Sequence, residues 1–393
     1  MKNFGSHSGL YLLAPVMLVA ADFVASKCSS GGSKAAGTMS SQKTNSVLMN
    51  HVYGKKIYNT TLKKSTQQLL NMTGPMSLMV LFYHLNKQYM NISQLIIGNY
   101  FQPDRDIVLI TGGGSGLGKE IVSRFVARNA KVVVLDVVVP EESEQIANVH
   151  YYQCDVSDRD QVIKCQRQIV QEIGKVTILI NNAGITTGKS LLHLSYEEIE
   201  RTLKVNLLSS FYTIKIFLPD MLELHRGYII TIASVLGYMS PSRLSAYGAS
   251  KSGLIALHES LTYELGPPSI NPTGVKTLLI CPGQLKTRMF RGVQTPSSLL
   301  APELDPSYVA KNVLKAVELG RRGEIKLPFY GNILPVFRAV PWPIVEVARY
   351  YSGIDQSMKS FKDTLSKVVS KTNSKTNSTN HSPSVTDFQP CNV

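Results

Sequence analysis

A short apolar run, Ile107-Val108-Leu109-Ile110, feeds directly into Thr111-Gly112-Gly113-Gly114-Ser115-Gly116-Leu117-Gly118. Behind it Leu117, Ile121, Val122, Phe125 and Val126 recur at helical spacing. The order strand, glycine turn, helix constrains this chain more than any other feature, because it is how a parallel α/β sheet begins. The glycines allow a tight turn and a close backbone approach, and an anion seated there meets the positive end of the helix. A flexible glycine linker is the competing reading, and the flanking periodicity argues against it. A P-loop would need Gly-Lys followed by Ser or Thr, whereas Gly118-Lys119 is followed by Glu120. The turn therefore suits a dinucleotide better than ATP.

The second strand, Val132-Val133-Val134-Leu135, ends in Asp136, about 20 residues beyond the glycines. An acidic side chain there accepts hydrogen bonds from the adenosine ribose hydroxyls and repels a 2′-phosphate. NAD is favoured over NADP on that ground.

Farther on, Tyr247-Gly248-Ala249-Ser250-Lys251 places a phenol and an ammonium four positions apart, on one helix face. A cation beside a phenol favours the phenolate and brings its proton towards the range useful for acid/base work. A solvated Lys next to a half-buried Tyr is the bland alternative.

Taken together, these segments resemble the short-chain dehydrogenase/reductase superfamily over roughly Asp104 to Lys362. Its motifs stand in order here: Thr111-Gly112-x-x-x-Gly116-x-Gly118, Asp155-Val156, Asn181-Asn182-Ala183-Gly184, Asn206, Ser234, Tyr247-x-x-x-Lys251, and Pro282-Gly283 with Thr287. The glycine spacing is that of single-domain alcohol and ketone oxidoreductases, not of sugar-nucleotide epimerases. The resemblance implies a Rossmann-type doubly wound parallel sheet with helices on both faces. It implies Tyr247 as general acid/base, Lys251 lowering its pKa and holding the nicotinamide ribose, Ser234 hydrogen-bonding the reacting oxygen, and Asn206 holding a water that links Lys251 to solvent. Thr111, Gly112, Ser115, Gly116, Leu117, Gly118 and Asp136 are the expected cofactor turn. Asp155 and Val156 would flank the adenine. Asn182, Ala183 and Gly184 would let the dinucleotide pass, and Pro282, Gly283 and Thr287 would meet the nicotinamide end. No metal is called for. An NAD-binding scaffold without turnover is the alternative of a different class, and the presence of all four of Asn206, Ser234, Tyr247 and Lys251 weighs against it.

The catalytic domain is expected at 104–330, followed by a hydrophobic substrate- or membrane-facing segment at 331–362 and a disordered tail at 363–393. Residues 1–100 form a basic extension with nine Lys, no Arg and one acid, Asp22, which is +8 of the chain's formal +14. Dispersed lysines without an arginine or aromatic platform suit an anionic membrane surface or a solvated linker rather than nucleic acid. Within it, the apolar stretch 10–25 fits a signal sequence, a retained anchor or a hydrophobic tail, and 69–85 fits an interfacial or docking helix. The five cysteines are odd in number and widely spaced, so neither a disulfide framework nor a zinc site is indicated.

Downstream of Thr287, Met289, Phe290, Pro296, Leu299 and Leu300 lie where the superfamily places its substrate flap, ahead of a helix expected over Tyr308 to Leu319. Their character favours a small hydrophobic substrate, and a packed loop core is the competing explanation. The Pro-broken aromatic run 327–351 resembles, more loosely, the membrane-attached retinol and hydroxysteroid dehydrogenase branch. That likeness implies attachment to endoplasmic reticulum or lipid droplets with the catalytic domain facing the cytosol. A cytoplasmic reductase of small polar substrates is the alternative. A homodimer or tetramer would be usual for the superfamily.

Overall fold

In a computed structural model of the protein, residues 101–266, 271–293 and 301–358 are described. The expectations for 1–100, for the flap residues Pro296, Leu299 and Leu300, and for the tail beyond 358 fall outside the described residues.

Seven parallel strands form one sheet in the order β3-β2-β1-β4-β5-β6-β7. They are β1 (Ile107–Thr111), β2 (Lys131–Asp136), β3 (Val149–Gln153), β4 (Ile178–Asn181), β5 (Gly227–Ile232), β6 (Val275–Pro282) and β7 (Gly323–Leu327). Every residue of β1, β4, β5 and β6 is buried, which is why these strands read as unbroken apolar runs. Winding reverses between β1 and β4, so the turns leaving these two strands part to open a crevice at the carboxyl edge. This is the doubly wound fold expected from the sequence.

Strand alternation sends side chains to two cores. Val108 and Ile110 point to a core shared with helix α1 (Gly116–Val126), while Ile107 and Leu109 point to one shared with α2 (Arg159–Glu172). The helical stretch around Asn206 is three pieces in series. Helix α3 (Tyr196–Leu203) opens with a capping box from Ser195 and Glu198, a π-helical turn follows at Lys204–Leu208, and α4 (Ser209–Glu223) continues. Helix α5 (Ser245–Glu264) carries Tyr247 and Lys251. Helix α6 (Pro306–Glu318) begins two residues before the expected start because the Asp305 carboxylate accepts from the Ser307 amide at 2.7 Å and Pro306 is preset for a first turn.

At the opposite edge of the sheet, Asp106 accepts from Arg226 at 2.8 and 2.7 Å and from the Thr177 hydroxyl at 2.9 Å, tying together the starts of β1, β4 and β5. Strand β7 was not expected from the sequence. The segment after it forms short 3-10 turns, then α7 (Trp342–Ser352) and a last turn, Ile354–Gln356. Among the described residues no helix is long and apolar enough to cross a membrane, and no cluster of three metal-ligating side chains occurs. Cys154, Cys165 and Cys281 are free and buried.

Candidate active site and cofactor crevice

The turn after β1 is shaped by its glycines. Gly112 and Gly116 have φ of 65° and 53°, in the left-handed region that side chains rarely adopt. A methyl group on Gly118 would lie 2.0 Å from the Gly112 carbonyl oxygen, so the turn closes only with hydrogen there. The turn is riveted to the one after β4. Thr111 Oγ1 accepts from the amides of Asn182 and Ala183, each at 3.0 Å, and Asn182 Nδ2 donates to the carbonyls of Thr111 and Gly112, each at 3.0 Å. The Asn182 side chain thus braces the crevice. Asp136, at the end of β2, accepts from the Gly114 amide at 2.9 Å and from Val138 at 3.3 Å, which places its carboxylate against the glycine turn.

Side chains of the other expected cofactor residues divide. Leu117 and Val156 are buried in opposite cores, so any contact they make with a dinucleotide is through backbone. Asp155 Oδ1 accepts from the amide and hydroxyl of Ser157 at 2.9 and 2.7 Å, fixing the turn after β3. The Thr287 methyl lies 3.6 Å from where a Cβ on Gly116 would stand, so Thr287 borders the glycine turn from the far side. Ser115 and Gly116 are exposed and the first turn of α1 holds no acidic side chain, leaving the positive helix end open to an anion. Thr186 Oγ1, just beyond Gly184 and Ile185, is buried without a partner. An open helix end, a glycine cradle and an unused hydroxyl are features that fit a pyrophosphate-bearing dinucleotide.

Ser234, Tyr247, Lys251 and Asn206 meet at one end of this crevice. Tyr247 is buried beside the Ser234 side chain, whose hydroxyl donates to the Pro282 carbonyl at 3.3 Å and accepts from the Leu236 amide at 3.1 Å. Lys251 Nζ lies 5.7 Å from the centre of the Tyr247 ring and donates to the Ile232 carbonyl at 2.9 Å. A Cβ on Gly184 would lie 3.7 Å from Lys251 Nζ and 3.4 Å from Asn206 Oδ1, so the backbone of this glycine stands beside both polar groups. Gly283 donates to the Leu327 carbonyl at 2.6 Å, anchoring the exit of β6 to β7.

Electrostatics depart from the sequence expectation in one respect. Burial pushes the Tyr247 phenol up to about 12, and the bond from Ser234 only partly offsets this. Burial also brings Lys251 down to about 8. The ammonium was expected to dominate the phenol, but removal of both groups from water outweighs it.

Sequence reasoning missed several residues here. Ser250 Oγ accepts from Asn206 Nδ2 at 3.1 Å and donates to the Tyr247 carbonyl at 2.6 Å. Its place inside the Tyr-x-x-x-Lys motif was the available signal. Leu244 and Met358 are buried in one apolar cluster with Tyr247, edged by Leu236, Phe290 and Val293. Phe290 meets the Tyr247 ring edge-on, centroids 6.0 Å apart.

Comparison with known proteins agrees with this geometry. The short chain dehydrogenase family model matches residues 106–297. An uncharacterized oxidoreductase of Saccharomyces cerevisiae is 39% identical over 251 residues, covering 63% of this chain and 82% of the relative. Human retinol dehydrogenase 10 is 33% identical over 290 residues, covering 65% and 84%. A bovine protein, short-chain dehydrogenase/reductase family 16C member 6, is 35% identical over 267 residues, covering 65% and 83%. Among solved structures, ligand-free aldohexose dehydrogenase of Thermoplasma acidophilum superposes with a TM-score of 0.50 at 25% identity, covering 56% of this chain and 92% of that one. The chain belongs to the short-chain dehydrogenase/reductase family, close to its retinol dehydrogenase branch, and that membership implies oxidoreductase chemistry with a nicotinamide cofactor.

Proposed function

We propose that the protein interconverts a hydrophobic alcohol and its carbonyl compound with NAD as the cofactor. The observation that carries this reading is the apolar cluster packed around the Tyr247 ring, where Leu244 and Met358 are buried and Leu236, Phe290 and Val293 pack against them. Such walls favour a lipid-like substrate, because a polar one would leave its hydroxyls unpaired there. Relatives named retinol dehydrogenase add support. NAD is preferred to NADP because Asp136 stands at the glycine turn, where it accepts from Gly114 and would repel a 2′-phosphate.

In this reading the bound nicotinamide supplies the hydride acceptor, and the protein supplies position and a proton path. The glycine turn at 112–118, the backbone of 182–184 and Thr287 would hold the dinucleotide. Ser234 would hydrogen-bond the substrate oxygen. Tyr247 would take the hydroxyl proton as the carbinol carbon gives up hydride, and return it in the reverse direction. Because burial holds the phenol at about 12, it needs the positive charge that arrives with the oxidised cofactor, together with Lys251, to act as a base near neutral pH. The Lys251 amine would contact the nicotinamide ribose and pass the proton onward.

Attachment to a membrane or lipid-droplet surface belongs to the same proposal. Helix α7 and the turns before it expose Phe329, Trp342, Ile344, Val347, Tyr350 and Tyr351, with Trp342 at 68% and Tyr350 at 83% of full exposure. An aromatic and aliphatic face of this kind suits the interface between headgroups and acyl chains.

The test is NADH production by the purified protein across retinoids, steroids, long-chain alcohols and polyols. Turnover concentrated on the apolar alcohols is expected. Turnover confined to polyols would overturn the reading in favour of a reductase of small polar substrates.

A further inference from the structure

The final described residues return to the catalytic helix. Helix α7 ends at Gly353, whose φ of 63° reverses the chain, and the turn Ile354–Gln356 leads back towards the loop ahead of α5. Two polar residues clamp that return. Arg349 Nε donates to Asp355 Oδ2 at 3.0 Å, and Arg349 Nη2 donates to the Ser240 carbonyl at 3.0 Å. Asp355 Oδ1 in turn accepts from the Ser242 amide at 2.9 Å. Ser240 and Ser242 lie between Ser234 and Tyr247, so the clamp grips the loop that connects two members of the candidate catalytic group.

Beyond the clamp the strap buries a single side chain. From Glu346 to Met358, every residue but the last is exposed or half-exposed, while Met358 is 2% exposed and sits with Leu244 and Tyr247. Local sequence gives no reason for this, since Asp355-Gln356-Ser357-Met358-Lys359 is polar on both sides. The Arg349–Asp355 pair stiffens the strap, its bonds to the Ser240 carbonyl and the Ser242 amide tie it to the loop, and what it delivers is one unbranched, adaptable apolar side chain beside the Tyr247 ring.

We propose that Met358 is a specificity-determining residue of the substrate site, and that Arg349 and Asp355 are the positioning pair that seats it. This rests on the reading that Tyr247 works on an apolar alcohol. The thioether packs in the same cluster as the Tyr247 ring, against which Phe290 and Val293 also pack, so its volume would set how bulky a group fits next to the reacting carbon. Asp355 acts only through placement of the strap.

The experiment uses the full chain with Met358→Ala, Met358→Phe and Asp355→Asn, each checked for folding by its melting temperature without ligand. Met358→Val, a smaller loss of volume with the outcome expected for Met358→Ala, replaces either Met358 variant that fails to fold. KM and kcat are measured with NAD for 2-alkanols of graded length and for cyclohexyl-substituted alcohols. Met358→Ala is expected to raise kcat/KM for the bulky alcohols relative to the short ones by about tenfold, and Met358→Phe to reverse the order. Asp355→Asn should shift the ranking in the direction of Met358→Ala, through KM, with NADH affinity and the pH profile of kcat unchanged. An identical ranking in all variants, with wild-type turnover intact, overturns the role of Met358 and leaves the proposed activity standing. Absence of NAD-dependent turnover by the wild type overturns the proposed activity instead. The strap is then judged by the melting shift that 1-decanol produces in the presence of NADH, and equal shifts in wild type, Met358→Ala and Met358→Phe overturn it.

Discussion

Asn206 and Ile185 exchange two hydrogen bonds, the Asn206 amide oxygen accepting from the Ile185 amide at 2.7 Å and its nitrogen donating to the Ile185 carbonyl at 2.9 Å. With the second Asn206 N–H donated to Ser250 Oγ, this side chain is a brace between the π-helical turn, the loop after β4 and helix α5. Asn206→Ala is expected to cost about 2 kcal/mol of stability, from a buried backbone amide left unpaired, in addition to lowering turnover. Urea unfolding of the variant measures this, and an unchanged midpoint would mean the brace is dispensable.

Tyr247→Phe keeps the ring against Phe290 and removes only the hydroxyl beside Ser234. Turnover should fall by about 10²- to 10⁴-fold, the usual contribution of a positioned acid/base, while NADH binding followed by fluorescence stays near the wild-type value. Substantial residual turnover would remove Tyr247 from its proposed role.

In the proposed reading, cofactor preference is set at the end of β2. Replacing Asp136 by Arg removes the acceptor for the Gly114 and Val138 amides and offers a guanidinium to a 2′-phosphate. The ratio of kcat/KM for NADP over NAD should rise by at least tenfold, by analogy with the acid-to-Arg difference between NAD and NADP sites. A wild type that already prefers NADP would refute the assignment of Asp136.

His258 of α5 is buried, and burial brings it down to about 4 from 6.5. Its folded-state value is below the unfolded one, so the unfolded chain takes up the proton first as pH falls. Stability is therefore full above pH 6.5 and declines between 6.5 and 4, by roughly 3 kcal/mol at most. His258→Gln should flatten that decline. Equal slopes for the two proteins in urea melts at pH 6.5, 5.5 and 4.5 would show that another group is responsible.

Much of this architecture was readable in the residues because the central strands are buried on both faces. Ile107 to Ile110 and Val132 to Leu135 had no need to alternate, so they stood out as apolar runs bounded by the glycine turn and by Asp136. Gly323–Leu327 was missed because an edge strand only half removed from water reads as Gly-Glu-Ile-Lys-Leu, with no apolar run and an alternation only four residues long. Tyr247 and Lys251 were legible because helix geometry converts a spacing of four into proximity. Contacts between distant segments leave no local trace: the Ser234 bond to Pro282 spans 48 positions, and the Asp355 bond to Ser242 spans 113. The pKa of the phenol was misjudged for a related reason, since solvent exclusion is a property of the assembled core and not of the five-residue motif.

Three thiols in the interior give this enzyme a set of built-in reporters. Cys281 lies in β6, close enough to Lys251 that the two groups influence each other's charge, whereas Cys154 and Cys165 sit together at the edge where the adenine half of a dinucleotide would rest. With Cys28 and Cys391 replaced, a colourless alkylating reagent added to the native protein would mark these positions only as fast as their surroundings breathe. Comparing the labelling half-times with and without NADH would then say which end of the crevice the cofactor tightens more.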